Sequence, residues 1–432
     1  MSEVSPRVAV VGGGWAGCAA AVELTQRGAQ VTLYEAARTL GGRARAVDIN
    51  GRRLDNGQHI LLGAYGESLR LMREVGIAPE SALLRLPLQM RYPAGPEGMD
   101  FVAPRLPAPL HLAIALLRAR GLDRADRLAL ARFSTTARWM GWRLYNDCSV
   151  DELLQRFEQT ERLIRLMWRP LCIAALNTPP ERASAQVFLS VLRDSLGARR
   201  SASDMLVPRL DLSELFPARA AAWLCERGGR VEHGAAVDTL QRHEGGWLLR
   251  GERYDAVVLA VQPAAAAALI DDLAPSPLPA FEWEAITTVY LQYENGLRLP
   301  HPLLALLDDP ETGRFGQFVF DRGQLDADRA GLLAVVISAS GAALQLGRNA
   351  LAASAATQLA EAFAMPQLAQ PEWNAVISEK RATFACTPGL ARPGNDIGIP
   401  GLALAGDYTA SEYPATLESA VRSGVAAARI LL

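Results

Sequence analysis

The chain has 432 residues, half of them hydrophobic, so it can bury a large core, and length alone suggests two or three domains. A formal net charge of −2 excludes the global basic field of a nucleic-acid binder. Five cysteines (Cys18, Cys148, Cys172, Cys225, Cys386) are scattered with no C-x-x-C spacing, which argues against a disulfide framework or a zinc site and fits a reducing, cytoplasmic setting with no bound metal.

Residues 7 to 37 read as strand, glycine turn, helix, strand: Val8 to Val11, an alanine-rich helix over 19–26, then Val31 to Glu35, a βαβ half-unit with no signal-peptide pattern ahead of it. Residues 38 to 63 are glycine-rich and polar. In Leu40-Gly41-Gly42-Arg43 and Asp55-Asn56-Gly57-Gln58-His59, glycines stand beside groups that can face a ligand. Pro104 to Arg143 reads as helical and arginine-rich, and helical periodicity continues over 150–200 with a break at Pro179-Pro180. Strand patterns return at 230–233, 235–237 and 246–249. Tyr254 to Ala260 has the unbroken apolar composition of a strand buried on both faces, and a helix follows over 264–269. Further strands are expected at 286–293 and 332–338, with a helix over 350–363. A last strand from Leu402 ends in Gly406-Asp407, before a small-residue helix over 418–431. There is no internal repeat, and no apolar run of about eighteen residues that predicts a spanning helix.

Gly12, Gly14 and Gly17 fit G-x-G-x-x-G after a strand and at the start of a helix, which is the context the pattern needs to bind a dinucleotide. Gly12 permits the tight turn, Gly14 lets backbone approach a pyrophosphate, and Gly17 lets helix and strand pack closely. The helix N-terminus offers free N–H groups to phosphate. Glu35 ends the next strand, where an acid takes ribose hydroxyls, favouring NAD or FAD over NADP. The second glycine segment at 40–45 and the distant Ala405-Gly406-Asp407-Tyr408 favour FAD, because a nicotinamide dehydrogenase has no use for a cofactor segment so far from the first motif. Lys380 is the single lysine, so any lysine contact to a flavin must be its own.

These segments together resemble the flavin amine oxidase and phytoene desaturase superfamily of FAD enzymes, from Val8 to the C-terminus and most strongly over 8–63 and 400–430. Within it the chain looks most like the hydroxysqualene dehydroxylases (squalene-associated FAD-dependent desaturases) of hopanoid biosynthesis. Asp55 to Gly63, Lys380 to Phe384, Gly406-Asp407-Tyr408 and Tyr413 to Ala420 carry that likeness. The resemblance implies an α/β fold: a Rossmann-like FAD-binding domain from residues 1–75, 205–265 and 380–432, interleaved with an α+β substrate domain from 76–204 and 266–379. It implies that Gly12, Gly14, Trp15, Ala16 and Gly17 line the pyrophosphate, and that Glu35 and Ala36 lie at the adenosine ribose. Gly42 and Arg43 fall beside the pyrophosphate, Gly57, Gln58 and His59 along the isoalloxazine, and Val237 at the adenine. Gly406 and Asp407 fall on the ribityl or phosphate side, with Thr416, Leu417 and Ala420 at the ring edge.

The implied reaction replaces the hydroxyl of hydroxysqualene by hydride from reduced FAD to give squalene, with NADPH or a partner protein as external reductant. His59 and Asp55 are the candidate acids for the leaving hydroxyl. Asp55 reads first as tying down its own loop through Asx-type bonds, His59 alternatively as a flavin contact, and Tyr408 and Tyr413 as further groups within reach. The lysine and aromatic cage of the amine oxidases have no place in this sequence, which favours a hydrophobic C30 isoprenoid over an amine. Other readings are a carotenoid or phytoene-type desaturase, an amine oxidase, or a non-catalytic isoprenoid-binding protein on the same scaffold. Between 106 and 143, leucines alternate with arginines. This is either a basic amphipathic surface docking on the inner face of the cell membrane, near other squalene-pathway enzymes, or the wet face of ordinary helices.

Overall fold

Ten strands position the site. In chain order they are β1 (Arg7–Val11), β2 (Gln30–Glu35), β3 (Arg230–His233), β4 (Ala256–Leu259), β5 (Trp283–Gln292), β6 (Leu303–Ala305), β7 (Phe318–Asp321), β8 (Leu332–Ser338), β9 (Trp373–Phe384) and β10 (Leu402–Leu404). The computed structural model describes residues 5–274 and 276–432. β1, β2, β3, β4 and β10 form one parallel sheet in the order β3-β2-β1-β4-β10. Val8, Val31 and Ala256 share one register row across its centre. The central strands lack a polar face because the sheet is covered on both sides, as parallel sheets are. On one side lie helix α1 (Trp15–Gln26) and, packed on it, the last helix of the chain. Gly424 of that helix is the reason they approach so closely: a Cβ there would meet the Ala16 carbonyl oxygen at 2.1 Å.

The second sheet is antiparallel, in the order β6-β7-β8-β5-β9, with Arg348–Phe363 packed against it as a helix. A helical layer covers residues 110–197. Its core is aromatic: Phe133 lies 4.4 Å from Trp168 between ring centroids, and Trp168 meets Phe188 edge-on. Two helices of this layer matter below, α2 (Leu110–Arg118) and α3 (Arg124–Trp139); with the final helix, α4 (Leu417–Leu431), they frame the site.

Two expectations about elements need correction. The stretch from Pro104 to Arg143 is broken in two. Gly121 takes a positive φ of 79°, and Asp123 restarts the chain as the N-cap of α3, accepting from the Asp126 amide in a reciprocal capping box. Residues 235–237 are not a strand. Gly234 turns at positive φ, Ala235 gives its amide to the Glu35 carbonyl at 2.8 Å, and the chain then leaves the sheet. That departure brings Val237 to the cavity described next.

Candidate active site

One continuous cavity of about 1260 Å³ runs from the glycine turn after β1 to the helical layer. It exceeds the roughly 300–1,000 Å³ of an ordinary small-molecule cleft. Gly12, Gly14, Trp15, Ala16, Glu35, Ala36, Gly42, Arg43, Gly57, Gln58, His59, Val237, Gly406, Asp407, Thr416, Leu417 and Ala420 all line it. Two of the sequence candidates, Gly17 and Asp55, do not.

At the sheet end the walls are backbone. Gly12 sits at φ +105° and gives its amide to the Tyr34 carbonyl; a Cβ there would lie 2.5 Å from the Ala260 oxygen. Gly14 is the N-cap of α1 and offers no side-chain cap, and the first turn carries no acid. The free N–H groups and positive dipole end are therefore left for an anion. Gly42 faces it: a Cβ on Gly42 would come within 3.3 Å of the Gly14 Cα, so side chains here would close the cradle that a pyrophosphate needs. Gly17 acts from behind, because its Cβ would lie 1.8 Å from the Gly12 oxygen. Glu35 accepts from the Gly13 amide at 2.7 Å and the Ala37 amide at 2.8 Å, which fixes its carboxylate at the end of β2, and each oxygen retains a lone pair.

The C-terminal segment closes over this turn. Arg43 donates to Asp407 at 2.6 Å and to the Ala382 carbonyl at 2.7 Å. Arg392, which the sequence reading passed over, donates to the carbonyls of Asp407 at 2.6 Å and Tyr413 at 2.7 Å and pins the loop between them. Thr416 then caps α4 by accepting the Ser419 amide at 3.1 Å, which aims that helix's N-terminus into the cavity. Tyr408 is buried, and its hydroxyl has no hydrogen-bond partner among the described residues. Burial and then the Asp407 carboxylate push its phenol up, so it remains a protonated donor. An unpaired buried donor is costly unless a bound molecule satisfies it.

Gly57, Gln58 and His59 line the cavity ahead of a buried network. Gln58 donates to the Tyr290 hydroxyl at 2.7 Å and accepts from Arg322 at 3.0 Å; Tyr290 in turn donates to the Asp55 carbonyl at 2.8 Å. His59 Nδ1 lies 3.0 Å from the Gly57 carbonyl, which only accepts, so the bond assigns the proton to Nδ1 and leaves Nε2 bare. Burial lowers the imidazole below its usual range; the Gly57 bond opposes this and the Arg43 charge reinforces it. At neutral pH His59 is thus a neutral acceptor, poorly suited to be the acid expected from the sequence. Asp55 lies within the wall. Its carboxylate accepts the Leu212 amide at 2.8 Å and stands 3.9 Å from Arg322, so it ties two distant segments together rather than its own loop. Burial raises its pKa, with the Arg322 charge acting against that rise. Arg322 and Tyr290 carried no local motif, and only the fold brings them behind Gln58.

The far end is apolar, lined by Leu112, Leu116, Leu130, Phe133, Met167 and Leu171. Lys380 is exposed on β9 and does not line the cavity, so no lysine does among the described residues. Tyr413, also on the lining, donates to Asp194 and is further contacted by Arg422 at 3.4 Å.

The family model for flavin containing amine oxidoreductases matches residues 15–432. This chain belongs to that family. As a flavin-containing amine oxidoreductase it is an FAD-dependent oxidoreductase, and the non-catalytic alternative falls away. The chain is 31% identical to the hydroxysqualene dehydroxylase of Rhodopseudomonas palustris over 99% of both chains. It is 30% identical to that of Sinorhizobium fredii over 98% of both. Among solved structures, an oxidoreductase from Methanosarcina mazei superposes with a TM-score of 0.72 at 15% identity, covering 98% of this chain and all of the other, a likeness of fold. The glycine cradle and the uncapped helix N-terminus fit the pyrophosphate of an FAD. No helix among the described residues is long and apolar enough to cross a membrane.

Proposed function

We propose that this enzyme removes the hydroxyl of hydroxysqualene, an allylic C30 alcohol, to give squalene. One hydride and one proton enter; squalene and water leave. The hydride would come from bound FAD in its reduced form, and the electrons to reduce it from NADPH or a partner protein. The observation that carries this reading is the cavity's far end: its aliphatic and aromatic lining suits a hydrocarbon, and it holds no lysine. The two named relatives support the same substrate.

The residues divide the work. The apolar chamber strips water from the chain and from the carbon that becomes cationic as the C–O bond breaks. Tyr408, protonated on Oη, passes its proton to the departing oxygen so that water leaves, and is reprotonated from solvent, a role suited to a phenol with no other partner among the described residues. His59, neutral with Nε2 bare, accepts from a group in the cavity rather than acidifying it. Gln58, held from behind by Arg322 and Tyr290, keeps the Gly57–His59 segment in place.

Mass spectrometry of the products after anaerobic incubation of the enzyme with hydroxysqualene, FAD and NADPH tests the proposal. Squalene is the expected product. Unconverted hydroxysqualene, with bleaching of the oxidised flavin by phytoene instead, would replace this reading with a desaturase, in which electrons flow from substrate to flavin.

A further inference from the structure

α2 and α3 have two jobs that no ordinary surface helix combines. Their inner sides carry Leu112, Leu116, Leu130 and Phe133 into the cavity. Pro109, Ala113, Ala131, Thr135 and Arg138 line the cavity and are themselves exposed, so the apolar chamber reaches the protein surface between these two helices. Around that opening the surface is apolar. Of the ten exposed large hydrophobic residues among those described, six fall between 106 and 145: Leu106, Leu110, Leu117, Leu128, Trp139 and Tyr145. Trp139 is 86% exposed, Leu128 71% and Leu117 67%. They follow the helices' outer stripe, Leu110 and Leu117 one heptad apart on α2, Leu128 and Trp139 eleven apart on α3.

The charge on this segment is just as one-sided. Residues 105 to 146 contain eight arginines and two aspartates, in a chain whose net charge is −2. Asp126 is buried in the α3 cap, whereas Arg118, Arg120, Arg124, Arg132 and Arg143 are exposed. Arg132 pairs with Glu158 at 2.7 Å, but Arg118, Arg120, Arg124 and Arg143 have no acidic partner among the described residues. Exposed leucines with a tryptophan among these free arginines match the acyl and headgroup layers of an anionic bilayer, where the aromatic sits at the boundary and the guanidinium groups meet phosphate.

We infer that the α2–α3 face docks on an anionic phospholipid bilayer and that the opening between the helices is a lateral entrance, through which a hydrocarbon passes from the membrane into the chamber without crossing water. The entrance takes its substrate class from the proposed function. The docking does not depend on it, since vesicle binding needs no turnover.

The flavin-loaded enzyme is tested by co-sedimentation with vesicles of equimolar phosphatidylglycerol and phosphatidylcholine, and with phosphatidylcholine alone. Binding to the anionic vesicles is expected. R118E/R120E/R124E should weaken it roughly a hundredfold. L117S/L128S/W139S should abolish it. Neither set lines the cavity, so both variants should keep their flavin absorbance, which reports folding. The part of the emission that W139F removes should be quenched by brominated acyl chains. A wild-type protein that stays in the supernatant, binding unchanged by both triple variants, or a Trp139 signal blind to bromolipid would overturn the docking. So would a wild-type dimer in sedimentation velocity that the apolar variant splits, because the patch would then serve a second copy of the chain. Docking without squalene formation, or the reverse, separates this inference from the proposed reaction.

Discussion

Arg43 and Asp407 stand 364 positions apart in the chain and 2.6 Å apart in space. Their contact joins the Gly41-Gly42 segment, which bridges to Gly14 of the first glycine turn, to the end of β10. Asp407 is almost buried and Arg43 half-buried, so removing either leaves the other poorly compensated. Arg43→Ala and Asp407→Asn should each weaken FAD binding about 10- to 100-fold, from a charge-assisted bond of ~1.5–3 kcal/mol. Titration of apoprotein with FAD, followed by flavin fluorescence, gives the values. The double variant should cost less than the sum of the two single ones, and strict additivity would count against a direct coupling.

Gly14 and Gly17 of the glycine motif should respond differently to substitution. Gly14→Ala places a methyl group whose nearest neighbour is the Gly42 Cα at 3.9 Å, on a backbone that alanine adopts freely. Stability should change by less than about 0.5 kcal/mol, while FAD affinity drops at least about tenfold because the cradle is filled. Gly17→Ala drives a methyl into the Gly12 carbonyl at 1.8 Å and should cost about 1–3 kcal/mol or more whether or not flavin is present. Paired thermal melts and flavin titrations read both.

Tyr408→Phe removes a buried hydroxyl that has no partner among the described residues. The free protein should be as stable as the wild type or slightly more so. Turnover should fall about a hundredfold if the phenol supports the departing oxygen. Asp55→Asn should show the opposite pattern, reduced stability with turnover nearly kept, since its carboxylate serves the Leu212 amide inside the wall. A variant of Asp55 that is stable yet inactive would restore it as the acid.

Glu23 of α1 ties three helices together through Arg70 of the helix Gly66–Glu74, Arg27 and Arg429 of α4, at 3.0, 3.2 and 3.1 Å. Burial pushes its carboxyl up, but the hydrogen bonds of Arg429, Arg70 and Arg27 outweigh that and leave it below the usual range. A carboxyl lowered by folding contributes stability that is complete above its unfolded pKa of about 4.3 and is lost as pH falls through the lower folded value. Glu23→Gln should therefore destabilise the protein by about 1–2 kcal/mol at pH 7 and by progressively less as the pH drops below about 4. Urea melts across that range measure the difference.

Much of the nucleotide end was legible because its chemistry is local. A glycine turn, a helix start and a terminal acid follow one another within about thirty residues, and each position has a single geometric duty. The small-residue helix after Gly406-Asp407 was readable for the same reason. Side chains whose partners are chosen by the fold were not. Arg322 follows an ordinary strand, and nothing near it in sequence announces that it supports Gln58 from 264 positions away. Arg392 satisfies carbonyls of a loop it precedes, and backbone acceptors leave no trace in composition. Asp55 was misjudged in range: its bond is to Leu212, not to its own turn. The strand pattern at 235–237 failed because Gly234 redirects the chain just where its alternation begins.

The sheet order also governs when the protein can become an enzyme. β1 and its glycine turn are synthesised well before the strand that completes their sheet, the aspartate that meets Arg43 and the helix that seats on α1. Contacts of such separation are slow to form. Until those later segments have joined them, the face of α1 that Gly424 covers stays open to water. Flavin has no complete place to bind in that interval, so cofactor capture follows the closing of the sheet.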